Sequence, residues 1–291
     1  MNKISKADIY FRQVIDEIID EGQWDKNPRP KYKDGTPAHS KFITQQSFDY
    51  RIDKGELPLI SLRRTAIKGG WHDIEAIYQK QTNIIEEMHP SIHSWWEDFV
   101  VSVDLKGNRS IGQTYGHTVK RYNLVNNLID GIINNPFGRR HIINLWQTQQ
   151  QEEDPAALVP CAYETLWSVS EVENERVIDL TLNQRSQDFL MTASINPMQY
   201  VMFGMAICGH LTFTTGIKHS LRKFKHNIQN VHIYDRHIFA ISELKNRVPS
   251  SLVASVKLEV YKNFYDYKFE DFDIYIPFTI VNLSGTLELA V

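Results

Sequence analysis

The chain has 291 residues, 42% of them apolar and 23% charged, and a formal net charge of −3. That length can bury a sizeable core, and the composition is ordinary for a soluble globular protein. The near-neutral charge gives no reason to expect a nucleic-acid or membrane partner.

In chain order, "MNKISKADIYFRQVIDEIIDEG" reads as an amphipathic helix without the apolar centre of a signal peptide. No stretch approaches the roughly 18 apolar residues of a membrane span, so a reducing cytoplasm is the expected compartment. A polar loop, "QWDKNPRPKYKDGTPAHS", leads to "KFITQQSFDYRI", whose alternation predicts a half-buried strand. "WHDIEAIYQK" and "NIIEEMHPSIHSWWEDF" read as helix, with a break at Pro90. "YNLVNNLIDGIINNP" has helical spacing and ends in a helix stop. "RRHIINLW", "YETLWSVS" and "RVIDLTLNQR" read as strands, and "NPMQYVMFGMAICGH" as a helix buried all round. The basic stretch "TFTTGIKHSLRKFKHNIQ" reads as a solvated loop, and one more helix is expected near residues 236–246. No repeat or linker divides the chain, so one domain over residues 1–291 is expected. Helices and strands intermingle without βαβ alternation, which predicts an α+β fold with a mixed sheet.

The two cysteines suggest no disulfide framework, and no Cys/His spacing resembles a metal site. Cys208, inside "MFGMAICGH", reads as core packing. Cys161, in "ALVPCAYETLW", has different company. The segment "NQRSQD" sets Arg185, Ser186 and Asp188 at the end of an apolar strand. A guanidinium beside a thiol favours the thiolate, the strongest ordinary side-chain nucleophile. On residue types alone, core thiol and nucleophile both stand. Arg139 and Arg140 follow a turn and open a strand, so they should point to opposite faces. They suit either a solvated strand start or a phosphate, which the arginine fork binds well.

An ordered set of motifs resembles the thymidylate synthase family. It comprises Tyr115-Gly116, the pair Arg139-Arg140, Pro160-Cys161, Gln184-Arg185-Ser186-x-Asp188, Asn196 and His232-x-Tyr234. "WWEDF" with Trp96, "LPLISLRR", "DGTPAHS" and the final "LELAV" extend the likeness over nearly the whole chain. The resemblance implies a thymidylate synthase-like fold, with a mixed sheet packed by helices and a homodimer formed through the sheet. It implies two substrates, dUMP and 5,10-methylenetetrahydrofolate. Cys161 would add to pyrimidine C6, and C5 would then take a methylene group and a hydride from the folate, without metal or nicotinamide. Arg185 would touch both phosphate and thiolate. Arg29, Ser186, and Arg139 and Arg140 from a second subunit, would complete the phosphate site. Gln184 is placed on the substrate side, Asn196 at the base edge, and His232 and Tyr234 at the ribose hydroxyl. Asp188 would bind the pterin, Tyr115 would assist proton removal, and Trp96 and Val291 would exclude water.

Departures lie on the folate and proton-transfer side. The family's catalytic Glu falls at Asp73, one methylene shorter, and Glu75 points elsewhere on the helix. "MTASIN", residues 191–196, lacks the family's Gly and Pro and puts Thr192 and Ser194 there. Gln229 and Asn230 replace a Gly-Asp pair, and Ala162 follows the cysteine where many members have His. Two alternatives therefore stay open. A pyrimidine nucleotide hydroxymethylase would use water instead of hydride, and an impaired homologue would only bind nucleotide.

Overall fold

The structure is a computed structural model that describes residues 4–280 and 282–290. Its helices are α1 (Lys6–Asp20), α2 (Ile67–Ile74), α3 (His93–Trp96), α4 (Gly116–Arg121), α5 (Leu124–Asn134), α6 (Thr148–Glu153), α7 (Phe189–Thr192), α8 (Ile195–Thr215) and α9 (Ile238–Asn246). Its strands are β1 (Gln23–Trp24), β2 (Ser40–Arg51), β3 (Ser102–Val103), β4 (Arg109–Ser110), β5 (Ile142–Asn144), β6 (Ala162–Val172), β7 (Glu175–Asp188), β8 (His219–Tyr234), β9 (Ser255–Leu258) and β10 (Phe272–Tyr275).

Six strands form one sheet in the order β1-β2-β8-β7-β6-β5. The β7/β8 pair is parallel and the other pairs are antiparallel, so the sheet is mixed and the fold is α+β as expected. The parallel pair needs a crossover, and α7 and α8 supply it. On one face, Ile178, Leu180, Leu182, Phe224 and Ile228 form a core with α8, which is buried around most of its circumference, and Phe48 packs on Tyr10 of α1. Ser194 opens α8, Pro197 sits in its first turn where no N–H is missed, and Gly216 closes it at φ +71. On the opposite face runs a row of polar side chains. Ser47 donates to Asn227, Asn227 to Asn183, and both Asn183 and Asn144 to the Glu164 carboxylate.

Three local expectations change. From His219 onward the basic stretch is strand β8, not a solvated loop. A register shift follows Leu221, and from there a period of two buries Phe224, His226 and Ile228 and leaves Lys223 and Lys225 outside. Residues 85–99 form a series of short turns around α3 instead of two helices. Pro90 opens a fresh turn, and the Trp96 indole is drawn inward. Arg139 and Arg140 precede β5, which spans only Ile142–Asn144, so they lie in the turn and not on alternate strand faces. Among the described residues, no helix is long and apolar enough to cross a membrane.

Tyr115 stands before α4 at φ +45, a strained backbone for an aromatic residue. Gly116 makes that geometry reachable. A Cβ there would sit 2.2 Å from the Thr82 carbonyl oxygen and 2.6 Å from its nitrogen. Backbone cannot yield as a side-chain tip does, so Gly116→Ala is expected to cost about 1–3 kcal/mol. Urea denaturation checks this, and an unchanged midpoint would show that α4 can shift freely.

Candidate active site

Cys161 lies one residue ahead of β6, with its position fixed from three directions. Its carbonyl accepts the Arg185 N–H at 2.9 Å, and its own N–H donates to the Tyr115 hydroxyl at 3.2 Å. The Arg185 guanidinium donates to the carbonyls of Val159 (2.7 Å) and Pro160 (3.0 Å). Arg185 thus anchors the turn that carries the sulfur. Burial pushes the Cys161 thiol above its ordinary range, while Arg185 and Arg29 pull the other way without overcoming it.

Arg29 and Arg185 share a cavity of about 480 Å³ with Phe99, Trp146 and the chain from 155 to 159. Two cations facing one open cavity suit a phosphate. Ser186 is half-buried beside Arg185. Arg139 and Arg140 are exposed and do not line this cavity.

A line of amides crosses the other side of the site. His226 is fully buried and held neutral, its imidazole pushed down to about 3 by desolvation. Its Nε2 lies 2.8 Å from Gln184 Oε1 and must donate to it. Gln184 Nε2 donates to the Ser186 carbonyl (2.9 Å) and to Asn196 Oδ1 (3.3 Å). Asn196 Nδ2 donates to Gln199 Oε1 at 3.1 Å. Gln199 Nε2 donates to Asp73 Oδ2 (2.8 Å) and to the Gly70 carbonyl (3.2 Å). Trp96 Nε1 donates to Asp73 Oδ1 at 3.0 Å. Burial raises the Asp73 carboxyl to about 6, against these two donors. Glu75 is occupied elsewhere by Trp71 Nε1 and His72 Nδ1.

The remaining candidates sit nearby in the fold. Strands β7 and β8 pair Asp188 with His232. His232 is buried and neutral, lowered to about 4 by desolvation, and its Nδ1 bonds Asn230 Oδ1 at 2.9 Å. Tyr234 packs against it at 5.0 Å between ring centroids. Asp188 caps α7 through the Met191 N–H. Burial raises the Asp188 carboxyl, and its Oδ2 has no hydrogen-bond partner. That orphan acceptor fits a ligand bearing N–H donors. His237 Nε2 donates to the Glu288 carbonyl, and its Nδ1 lies 3.7 Å from Asp188 Oδ2. Trp96 meets the Tyr115 ring edge-on at 5.1 Å. Val291 lies outside the described residues, and Ala290 packs on Tyr32, Ala38 and Tyr234.

A sequence profile of the thymidylate synthase family matches residues 9–276. The chain belongs to that family. It is 40% identical over 277 residues to a thymidylate synthase of Streptococcus thermophilus, spanning 93% of this chain and 94% of that one. It is 39% identical over 275 residues to the thymidylate synthase of Streptococcus pneumoniae, with 93% and 94% covered. The thermostable thymidylate synthase A of Bacillus subtilis superposes at a TM-score of 0.80 and 25% identity, covering 98% of this chain and 99% of that one. The thymidylate synthase motifs named Gln184, Asn196 and Asp73 but not the residues that join them, Gln199 and His226. Gln199 stands three residues after Asn196 on α8, a helical neighbour spacing that was legible in retrospect. His226 could not be found without knowing that β8 is a strand.

Alkylation of Cys161 by iodoacetamide should reach half its maximal rate at a pH above that of an ordinary cysteine. Arg29→Ala should move that midpoint higher still, because a charge favouring the thiolate is lost. A midpoint below the ordinary value would contradict the burial argument. Cys161→Ser identifies the signal.

Proposed function

We propose that this chain methylates dUMP at C5 with 5,10-methylenetetrahydrofolate, yielding dTMP and dihydrofolate, as one catalytic domain over residues 1–291. The observation that carries the reading is the Cys161 thiol, fixed by Arg185 and Tyr115, within a chain 40% identical to a thymidylate synthase.

Arg185, Arg29 and Ser186 hold the phosphate, and Arg139 and Arg140 of a second copy complete the site. A buried dianion needs this many donors. The copies pair through the polar face of the sheet, giving a two-fold homodimer. Asn196 binds the base edge, with Gln184 behind it, and His232 and Tyr234 bind the ribose hydroxyl. Cys161 gives up its proton and attacks C6. Asp73, poised near neutrality at about 6, orders the water that carries protons at the base. Tyr115 acts as a neutral hydroxyl, since burial holds its phenol well above the usual range. Its oxygen already receives the Cys161 N–H, so its own proton is free for a water near C5. Asp188 receives the pterin N–H groups through its unpartnered Oδ2. The folate supplies both the carbon and the hydride. Trp96 and the chain end around Val291 keep bulk water out. A cytoplasmic setting keeps the Cys161 thiol free.

The relatives favour the synthase over the hydroxymethylase and the impaired homologue. In the loop, Thr192 Oγ1 donates to the Asp188 carbonyl at 2.9 Å, and Ser194 Oγ accepts the Ile60 N–H at 3.2 Å.

Purified protein with dUMP and methylenetetrahydrofolate should form dTMP and dihydrofolate in equal amounts, read by mass spectrometry and ultraviolet absorbance. A 5-hydroxymethyl product without dihydrofolate would sink this reading. Cys161→Ser should lose turnover yet keep dUMP affinity within about tenfold. Mixing inactive Arg139→Ala and Cys161→Ser chains should restore activity in hybrid dimers; persistent inactivity would argue against a shared phosphate site.

A further inference from the structure

The amide line that ends at Asp73 has a direction, and the direction has a consequence for base choice. Gln199 Nε2 faces two acceptors, the Gly70 carbonyl and Asp73 Oδ2. Turning that amide over would set an oxygen against both, so its orientation is fixed by chemistry. Its Oε1 therefore faces Asn196 and demands a donor, which Asn196 Nδ2 provides at 3.1 Å. From the other end, Gln184 Nε2 faces the Ser186 carbonyl, its Oε1 takes the His226 proton, and its second N–H meets Asn196 Oδ1. The Asn196 amide is pinned on both atoms.

Each atom of that amide keeps one valence free, a single N–H on Nδ2 and a lone pair on Oδ1. Uracil presents an acceptor at O4 and a donor at N3. Cytosine presents a donor at N4 and an acceptor at N3, the mirror pattern. An asparagine free to turn over serves either base, whereas a pinned one serves only the first.

We propose that Gln199 is a specificity-determining positioning residue. It locks the face of Asn196 to uracil nucleotides and ties that face to the carboxylate of Asp73. The inference rests on the reading of Asn196 as the base-edge residue. A second feature of the fold supports a dedicated seat for Gln199. It lies across α2 where residue 70 is glycine, and a Cβ there would stand 2.9 Å from Gln199 Cγ.

The test is equilibrium binding of dUMP and dCMP to the full-length protein, read by calorimetry as the ratio of the two dissociation constants. Gln199→Met keeps an unbranched side chain of similar length but removes both the lock and the donor to Asp73. The preference for dUMP should fall by about tenfold or more. A general loosening of the site would weaken both nucleotides alike and leave the ratio unchanged, and that result overturns the inference. Gly70→Ala displaces the Gln199 side chain without altering it. It should lower the ratio in the same direction, which keeps the inference testable if Gln199→Met does not fold. Asn196→Ala separates the two layers of the argument. If it keeps the full preference for dUMP, Asn196 does not read the base and the underlying assignment fails. If it loses the preference while Gln199→Met and Gly70→Ala retain it, the assignment stands and the lock is wrong.

Discussion

A carboxylate buried without a cation at its side organises the inner half of the site. Asp73 receives its hydrogen bonds from two neutral donors, the Trp96 indole and the Gln199 amide. Each reaches it from a different part of the chain, the turns around α3 and the long helix α8. A buried acceptor left without its donor costs about 1–3 kcal/mol, so α2, α3 and α8 cannot be repositioned independently. Neutral donors also leave the carboxyl near neutrality instead of deeply acidic, since no opposite charge offsets the desolvation. The orientation of the Gln199 amide follows from this acceptor, and that of Gln184 from the Ser186 carbonyl, so Asn196 is held between the two.

The outer half of the site works on a different principle. Cations gather around Cys161, with Arg185 holding the turn and Arg29 facing the same cavity. Charge collects at one end of the site, and neutral amide dipoles gather at the other. The strained backbone at Tyr115 lies at the junction, with its hydroxyl on Cys161 and its ring on Trp96. That junction is where the chain can least tolerate a shift, since one residue serves both halves.

Much of this was legible in the sequence, and the rest was hidden for identifiable reasons. Cys161, Arg185, Gln184 and Asn196 stand out because short motifs name them, and the structure brings them together. Helix α8 and strands β6 and β7 follow from plain hydrophobic patterning. Strand β8 did not, because its outward positions carry Lys223 and Lys225 and its inward row includes a histidine. Charge dominated the composition of a segment whose alternation was sound. The turns around α3 were missed because helical spacing continues through residues 85–99 while the backbone there is cut into separate single turns, one of them opened by Pro90. Gln199 carries no motif, and its importance appears only once the distance to Asp73 is known.

The close approach of Gln199 to Gly70 also bears on how such a chain can change over time. A side chain added at position 70 collides with Gln199, and a shorter residue at 199 takes from Asp73 one of its two donors. Positions 70, 73 and 199 form a set in which a single replacement meets a penalty that a matched replacement elsewhere relieves. Sequence drift at this corner is therefore historical: which residue is acceptable at one position depends on which arrived first at the other two.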